Sequence, residues 1–367
     1  MNCSVETKEI EAITSTNILP QTPFWARIKN EQGFIPSGFQ LRVSKDLINP
    51  AFPEDRYTHE DLLVLIKYVS PTQCFAYVPY GPKIEPNFEN HGVFLEELSE
   101  VLRPHLPANC IFIRYDLIWE NQWAYEDDFF DHSGDWLGPP PGHTQEFRVN
   151  FSTQNWNLKK SPSDVLPKNT FFLDLTKEEN ELLYNMRYNT RYSIRKANRD
   201  GIRVNEYGME HLDTWNQLYQ ETALRHNMPQ QEQDYFTSLF TKQDDHRDGV
   251  QVSLLMADHD GDFLASMFLV LSRKRGTYLF GASSSDQKQR SASYALQWEA
   301  IKKAKQHGCS EYDMFGSAPN LNQQHPLHGV HLYKKGFGGQ LYHRMGCWDY
   351  PFSKKEYDLI TAQELKN

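Results

Sequence analysis

Arginine recurs at a strict four-residue interval in the stretch MRYNTRYSIRKANRDG, at Arg187, Arg191, Arg195 and Arg199. Residues four apart lie one above the other on an α-helix, so the spacing predicts a cationic stripe flanked by Tyr188 and Tyr192. Stacked like charges repel, and a helix keeps such a row either in water beside acidic neighbours or facing an anionic ligand. A second group stands at Tyr333-Lys334-Lys335, just before the run Gly336-Phe337-Gly338-Gly339. On residue type alone those lysines read as solubilising a hairpin turn.

Other combinations carry less. Asp127, Asp128, Asp131, His132 and Asp135 are metal-ligand types without a recognised spacing, and they read as a solvated acidic loop, so no metal is expected. Gly281-Ala-Ser283-Ser-Ser285 lacks the last glycine of a nucleophile elbow, and Gly336–Gly339 lacks the GK[ST] of a phosphate loop. None of the fourteen histidines is nominated as a general base.

The chain that must position these groups has 367 residues, 38 basic and 48 acidic. Residues 1–150 hold 11 basic and 22 acidic side chains and residues 151–367 hold 27 and 26, so the parts carry −11 and +1. The asymmetry suggests two domains and places any polyanion site in the second. A whole-chain nucleic-acid wrapper would be basic overall, so DNA is not an expected partner. No apolar run is long enough to span a membrane, and the polar, acidic start does not resemble a secretory signal, so a cytoplasmic protein is expected. Five scattered cysteines read as reduced core thiols.

Strand-like runs in the first part are GFQLRV, LLVLIKYV, CFAYVPYG and Cys110–Trp119, with a helix from about Gly92 to Leu102. Residues 120–149 read as a long loop. In the second part FFLDL leads to Thr176-Lys-Glu-Glu179, read as a capping box, then to the arginine-rich helix closed by Asp200-Gly201. IRVNEY follows as a strand and helices are expected near 209–226 and 229–243. Three strands, QVSLLMAD, FLASMFLVLS and GTYLFGASS, precede a helix at 292–307 and the strand EYDMFG. The order predicts an α/β (α+β) fold of two tandem N-acetyltransferase-like (GNAT) domains, mixed sheets flanked by helices. Domains are expected at 1–150 and 151–340, with residues 340–367 packing back on the first.

Together with PFWARIK (23–29), YVPYGP (77–82), TFFLDLTKEENELL (170–183), RYSIRKANRDGIRV (191–204), YLFGASSSDQKQRSASYALQWEAIKKAKQHGCSEYDMFG (278–316) and GVHLYKKGFGG (329–339), this order resembles the FemABX family of aminoacyl-tRNA-dependent peptidyltransferases. The stretch between Gly208 and Val250 is too short for the helical hairpin of the larger relatives, so the chain is similar to the compact ones. The resemblance implies transfer of an amino acid from aminoacyl-tRNA to the side-chain amine of a muramyl-peptide precursor, nucleotide- or lipid-linked, with no other cofactor. It also implies that Lys334, preceded by Tyr333, faces the charge of the transition state. By the same resemblance Lys29, Arg191 and Arg195 contact precursor phosphate, Tyr80 lines the peptide side, and Asp116 meets the acceptor ammonium. Two alternatives stay open: an acyl-coenzyme A-dependent N-acyltransferase, and a non-catalytic precursor- or nucleic-acid-binding module. The first is disfavoured because Gln289-Arg290-Ser291-Ala292-Ser293-Tyr294, at the usual pyrophosphate turn, has no glycine.

Overall fold

The computed structural model describes residues 2–48, 56–226, 228–243 and 248–364. The chain forms two compact units, one of residues 1–14, 18–168 and 343–367, the other of residues 15–17 and 169–342.

In the first unit the strands β1 (Cys3–Lys8), β2 (Ile35–Ser44), β3 (Tyr57–Ser70) and β4 (Gln73–Val78) pair antiparallel in sequence order. The chain then crosses over through the helix His91–Leu102 and returns as β5 (Cys110–Glu120), parallel to β4. A parallel neighbour requires such a crossover, which supplies the helix that covers the sheet. Phe94, Leu95, Leu98 and Leu102 from that helix join Phe39, Leu41, Leu62, Val64, Tyr115 and Trp348 in one buried cluster. The strand Gln340–Pro351 lies antiparallel to β5 from Arg344 onward and also pairs with the two-residue β6 (Lys159–Lys160).

Residues 151–168, assigned to the second domain on sequence, therefore pack in the first unit. The Asn150 side chain bonds both backbone groups of Leu158, and Lys160 N–H donates to Glu146. The expected loop at 120–149 ends instead in a helix, Gly142–Asn150. Its weak pattern is outweighed by tertiary packing, since a Cβ at Gly92 would sit 1.7 Å from the Val149 carbonyl oxygen. PFWARIK, not assigned to an element on sequence, is the helix Pro23–Glu31, capped by the Thr22 hydroxyl.

In the second unit the strands are β7 (Asn169–Asp174), β8 (Arg203–Tyr207), β9 (Val250–His259), β10 (Asp262–Ser272), β11 (Arg275–Ser283) and β12 (Glu311–Gly316). They order as β7-β12-β11-β10-β9-β8, antiparallel except for β11 and β12, which the helix Ala292–Gln306 connects. Helices Leu212–His226 and Gln233–Thr241 lie between β8 and β9. The capping box does not form. Thr176 bonds Asp174 through N–H at 3.0 Å and hydroxyl at 2.6 Å, and the helix begins later, at Glu179. The competing local turn takes the threonine away from the helix. All five cysteines are buried and free.

Candidate functional site

Lys334 sits near the end of the helix His328–Lys335, where sequence had left a lysine-rich turn as one reading. The side chain is buried, only 5% exposed, so it solubilises nothing. Its position is prepared by the end of β12. Phe315 adopts φ 58°, a left-handed conformation costly for a residue with a Cβ. Asp313 holds that turn by accepting the Phe315 N–H at 2.8 Å and the Thr170 hydroxyl. Two successive carbonyls, of Phe315 and Gly316, then accept from Lys334 Nζ at 3.1 and 2.6 Å. The Tyr278 ring lies beneath, its centroid 5.1 Å from Nζ.

Burial lowers the proton affinity of Lys334 from 10.5 to about 7, the nearby Asp313 carboxylate opposing the shift. An amine poised there holds or releases a proton with little cost at neutral pH. Two of its donors are committed to carbonyls, leaving the rest for an incoming group.

The neighbouring elements lock onto this helix through glycines. Arg187 N–H donates to the Gly336 carbonyl at 2.9 Å. A Cβ at Gly336 would meet Thr190 Oγ1 at 2.4 Å, and Gly338, at φ 84°, lies against the Asn185 carbonyl. The Tyr333 hydroxyl donates to Ser293 O at 2.9 Å, and its ring packs on Tyr294 and Phe337. His331, three residues before Lys334, was passed over on sequence. It is buried, with Nδ1 2.9 Å from Ala318 O and 3.2 Å from Ser317 Oγ.

The arginine row divides. The helix spans Tyr188–Arg199, so Arg187 is its N-cap and not a helical member of the stripe. Arg191 turns back, and its Nη1 donates to the carbonyls of Tyr184 at 2.9 Å and of Met186. It thus satisfies carbonyls left open where the helix Glu179–Asn185 ends. Arg187, Arg195 and Arg199 remain exposed. At the turn without glycine, Gln287 and Ser291 both take left-handed φ, 49° and 60°.

The remaining predicted residues belong to the first unit. Lys29 donates to Gln32 Oε1 at 2.7 Å and lies 5.1 Å from the Trp25 ring and 5.8 Å from that of Phe34. Burial, and then the charge of Lys67, lower it from 10.5 to about 8. Lys67, missed on sequence, lies 4.7 Å from the same Phe34 ring. Two cations sharing one aromatic face would welcome an anion.

Tyr80 is buried, its hydroxyl donating to Pro167 O at 2.6 Å and its ring 4.5 Å from the Arg344 guanidinium. Asp116 is buried and accepts at Oδ2 from Tyr77 OH at 3.0 Å and Leu166 N–H at 2.9 Å, while Oδ1 has no hydrogen-bond partner among the described residues. Burial raises its carboxyl from 3.8 to about 6, with Arg344 among the groups that oppose the shift. Arg114, two residues before Asp116 on β5, is clamped by Asp349 and Glu364. Tyr77 and Arg344 were missed, since each reads alone as a core or surface residue. In the acidic stretch, Asp131 accepts from the N–H groups of Ser133 and Asp135, and no three ligand side chains among the described residues group to hold a metal.

Mixed sheets with crossover helices, repeated in tandem, define a double GNAT architecture. The crystal structure of FemX superposes with a TM-score of 0.70 over 97% of this chain and all of that one, at 17% identity. A tandem GNAT protein from the clavulanic acid biosynthesis pathway superposes at 0.50 over 95% of this chain and 98% of the other, at 10% identity. These likenesses concern the fold. The FemAB family matches residues 153–256 and 250–364, more than half of the sequence, and the chain belongs to that family. The lipid II:glycine glycyltransferase of Staphylococcus haemolyticus is 31% identical over 107 residues, 29% of this chain and 26% of that protein. Its counterpart in Staphylococcus aureus strain USA300 is 28% identical over 101 residues, 28% of this chain and 24% of the relative. The match thus spans about a quarter of those relatives. Among the described residues, no helix is long and apolar enough to cross a membrane.

Proposed function

We propose that this protein transfers an amino acid from aminoacyl-tRNA to the side-chain amine of a peptidoglycan stem peptide, with Lys334 as the group that handles charge and proton. The observation that carries the reading is the buried amine of Lys334, held by two carbonyls inside the family's matched region. The relatives' names point to addition of an amino acid to lipid II, consistent with the same chemistry.

An aminoacyl ester is already activated. The acceptor nitrogen forms a bond to the ester carbonyl carbon, the carbonyl electrons move to oxygen, and the carbon–ribose oxygen bond then breaks. One proton leaves the attacking amine and one reaches the departing ribose oxygen. Protonated Lys334 stabilises the tetrahedral oxyanion and supplies the ribose proton, and the proton lost by the acceptor nitrogen, passed directly or through water, restores Lys334 to its charged form; its proton affinity near neutrality suits both transfers. No covalent enzyme intermediate is needed. Lys29, Tyr80 and Asp116 are proposed precursor contacts, the first for phosphate, and Tyr333 positions the helix that bears Lys334. Arg195 is a proposed contact for substrate phosphate; Arg191 serves the fold.

The test is a transfer assay with a mixture of charged tRNAs and with nucleotide- and lipid-linked precursors in separate arms. Transfer by the wild type, reduced at least a thousandfold in Lys334→Met, is expected. Saturable acetyl-coenzyme A binding with acetyl transfer and no aminoacyl transfer would overturn the reading.

A further inference from the structure

The arginine-rich helix and the end of the helix Glu179–Asn185 before it turn outward a surface of which the mechanism above uses only Arg195. Tyr184 is 81%, Tyr188 71% and Tyr192 50% exposed, all large rings in water. Arg187, Arg195 and Arg199 are exposed beside them. Successive members at four-residue spacing stand about 6 Å apart along the axis, and the whole helix runs about 18 Å. Along the helix the exposed rings of Tyr188 and Tyr192 come first, and the exposed guanidinium groups of Arg195 and Arg199 follow toward its C-terminus.

The charge is local. Between residues 187 and 200 there are five basic side chains and one acidic, in a chain of net charge −10. That acid, Asp200, is shared by Lys196 at 2.5 Å and Arg199 at 3.6 Å. Two more bonds extend the patch: Lys196 Nζ donates to Gln289 O, and Arg290 to Asp200 O at 3.2 Å, which tie the basic turn Lys288–Arg290 to the helix end.

We propose that this face is a docking surface for the single-stranded 3′ end of the donor RNA, bases on the tyrosines and phosphates on the arginines. The inference rests on the aminoacyl-tRNA reading and reassigns Arg195 from the precursor to the RNA. Three observations favour this occupant. Exposed aromatic rings followed by cations on one helix are a combination that holds unpaired nucleotides, through stacking and charge together. The helix has no apolar face to offer a bilayer, because Thr190, Ile194 and Ala197 are buried in its own unit. The face also ends at the chemistry: Arg187 N–H is bonded to Gly336 O, two residues beyond Lys334, so a strand laid from Arg199 toward Arg187 runs to the Lys334 segment.

The experiment measures anisotropy of a labelled, uncharged RNA hairpin ending in a four-nucleotide single-stranded 3′ tail, against the same hairpin made blunt. Wild type should prefer the tailed form. Tyr188→Ala should weaken it by roughly five- to 150-fold, the loss of one base stack, and Tyr188→Phe should restore it. Arg195→Ala with Arg199→Ala should flatten the dependence of log affinity on log salt by about 1.4. Equal affinity for tailed and blunt RNA, variants that bind like wild type, or capture by phosphatidylglycerol vesicles with no RNA binding would each overturn the proposal. If those variants also transfer aminoacyl groups normally, the stripe is refuted and the aminoacyl-tRNA reading stands. Tail binding lost in the variants, with a wild type that transfers nothing from charged tRNA, supports the surface and refutes that reading.

Discussion

Replacing Lys334 with methionine keeps the length of the side chain and removes its charge, which makes the cost of burying that charge measurable. The native amine titrates at about 7 and the ordinary value is 10.5. Between these two pH values the unfolded chain holds a proton that the native chain has released, so this group makes wild-type stability rise with pH. Below about 7 both states are protonated and the full penalty is present, about 5 kcal/mol by the cost of each tenfold in acidity. Methionine avoids the penalty and leaves the carbonyls of Phe315 and Gly316 without this donor, a loss of about 2–3 kcal/mol together. At pH 7 the variant should therefore match or exceed wild-type stability by about 1–2 kcal/mol, while the proposed role of Lys334 predicts loss of transfer. Between pH 7 and 9 the wild type should regain about 2 kcal/mol on the variant. Urea unfolding of both proteins at pH 7, 8 and 9 reads this directly, and other titrating groups cancel in the difference. Parallel pH dependences would show that Lys334 keeps an ordinary proton affinity, and the case for a poised amine would fall with it.

Two further substitutions test other buried or bonded groups. Asp116 titrates at about 6 in place of 3.8, so its stabilising contribution is complete below 3.8 and is lost as pH rises through 6. Wild type should lose about 2 kcal/mol relative to Asp116→Asn between pH 4 and 7, read from thermal unfolding across that range; a constant difference would refute the burial argument. Arg191→Ala should cost about 1–2 kcal/mol through the carbonyls it leaves open, whereas the exposed Arg195→Ala should change stability by less than about 0.5 kcal/mol and act on substrate affinity alone. Equal urea midpoints for the two would mean that Arg191 does not hold the fold.

Apolar periodicity made most of both sheets legible, because β3, β5, β9 and β10 bury nearly continuous hydrophobic runs that no loop would carry. Elements with mixed surfaces were not: β1 buries only Cys3 and leaves Ser4, Glu6 and Thr7 exposed, and the helix at 142–150 is held by its contact with Gly92 more than by pattern. The same limit governs the site. Lys334 can be singled out by resemblance, but its burial depends on a turn at Phe315 and a ring at Tyr278, groups 19 and 56 positions away in sequence. Arg191 and Arg195 are equivalent by spacing; what separates them is that one helix stops at Asn185 and the next begins at Tyr188, placing open carbonyls beside Arg191 only. Arg344, fully buried against Tyr80, lies outside every stretch that sequence singled out. Hydrophobic patterning reports where a chain escapes water. The buried amine, carboxyl and guanidinium break that pattern at a cost that only their partners offset, so the candidate site lies where local reading fails and distant contacts decide.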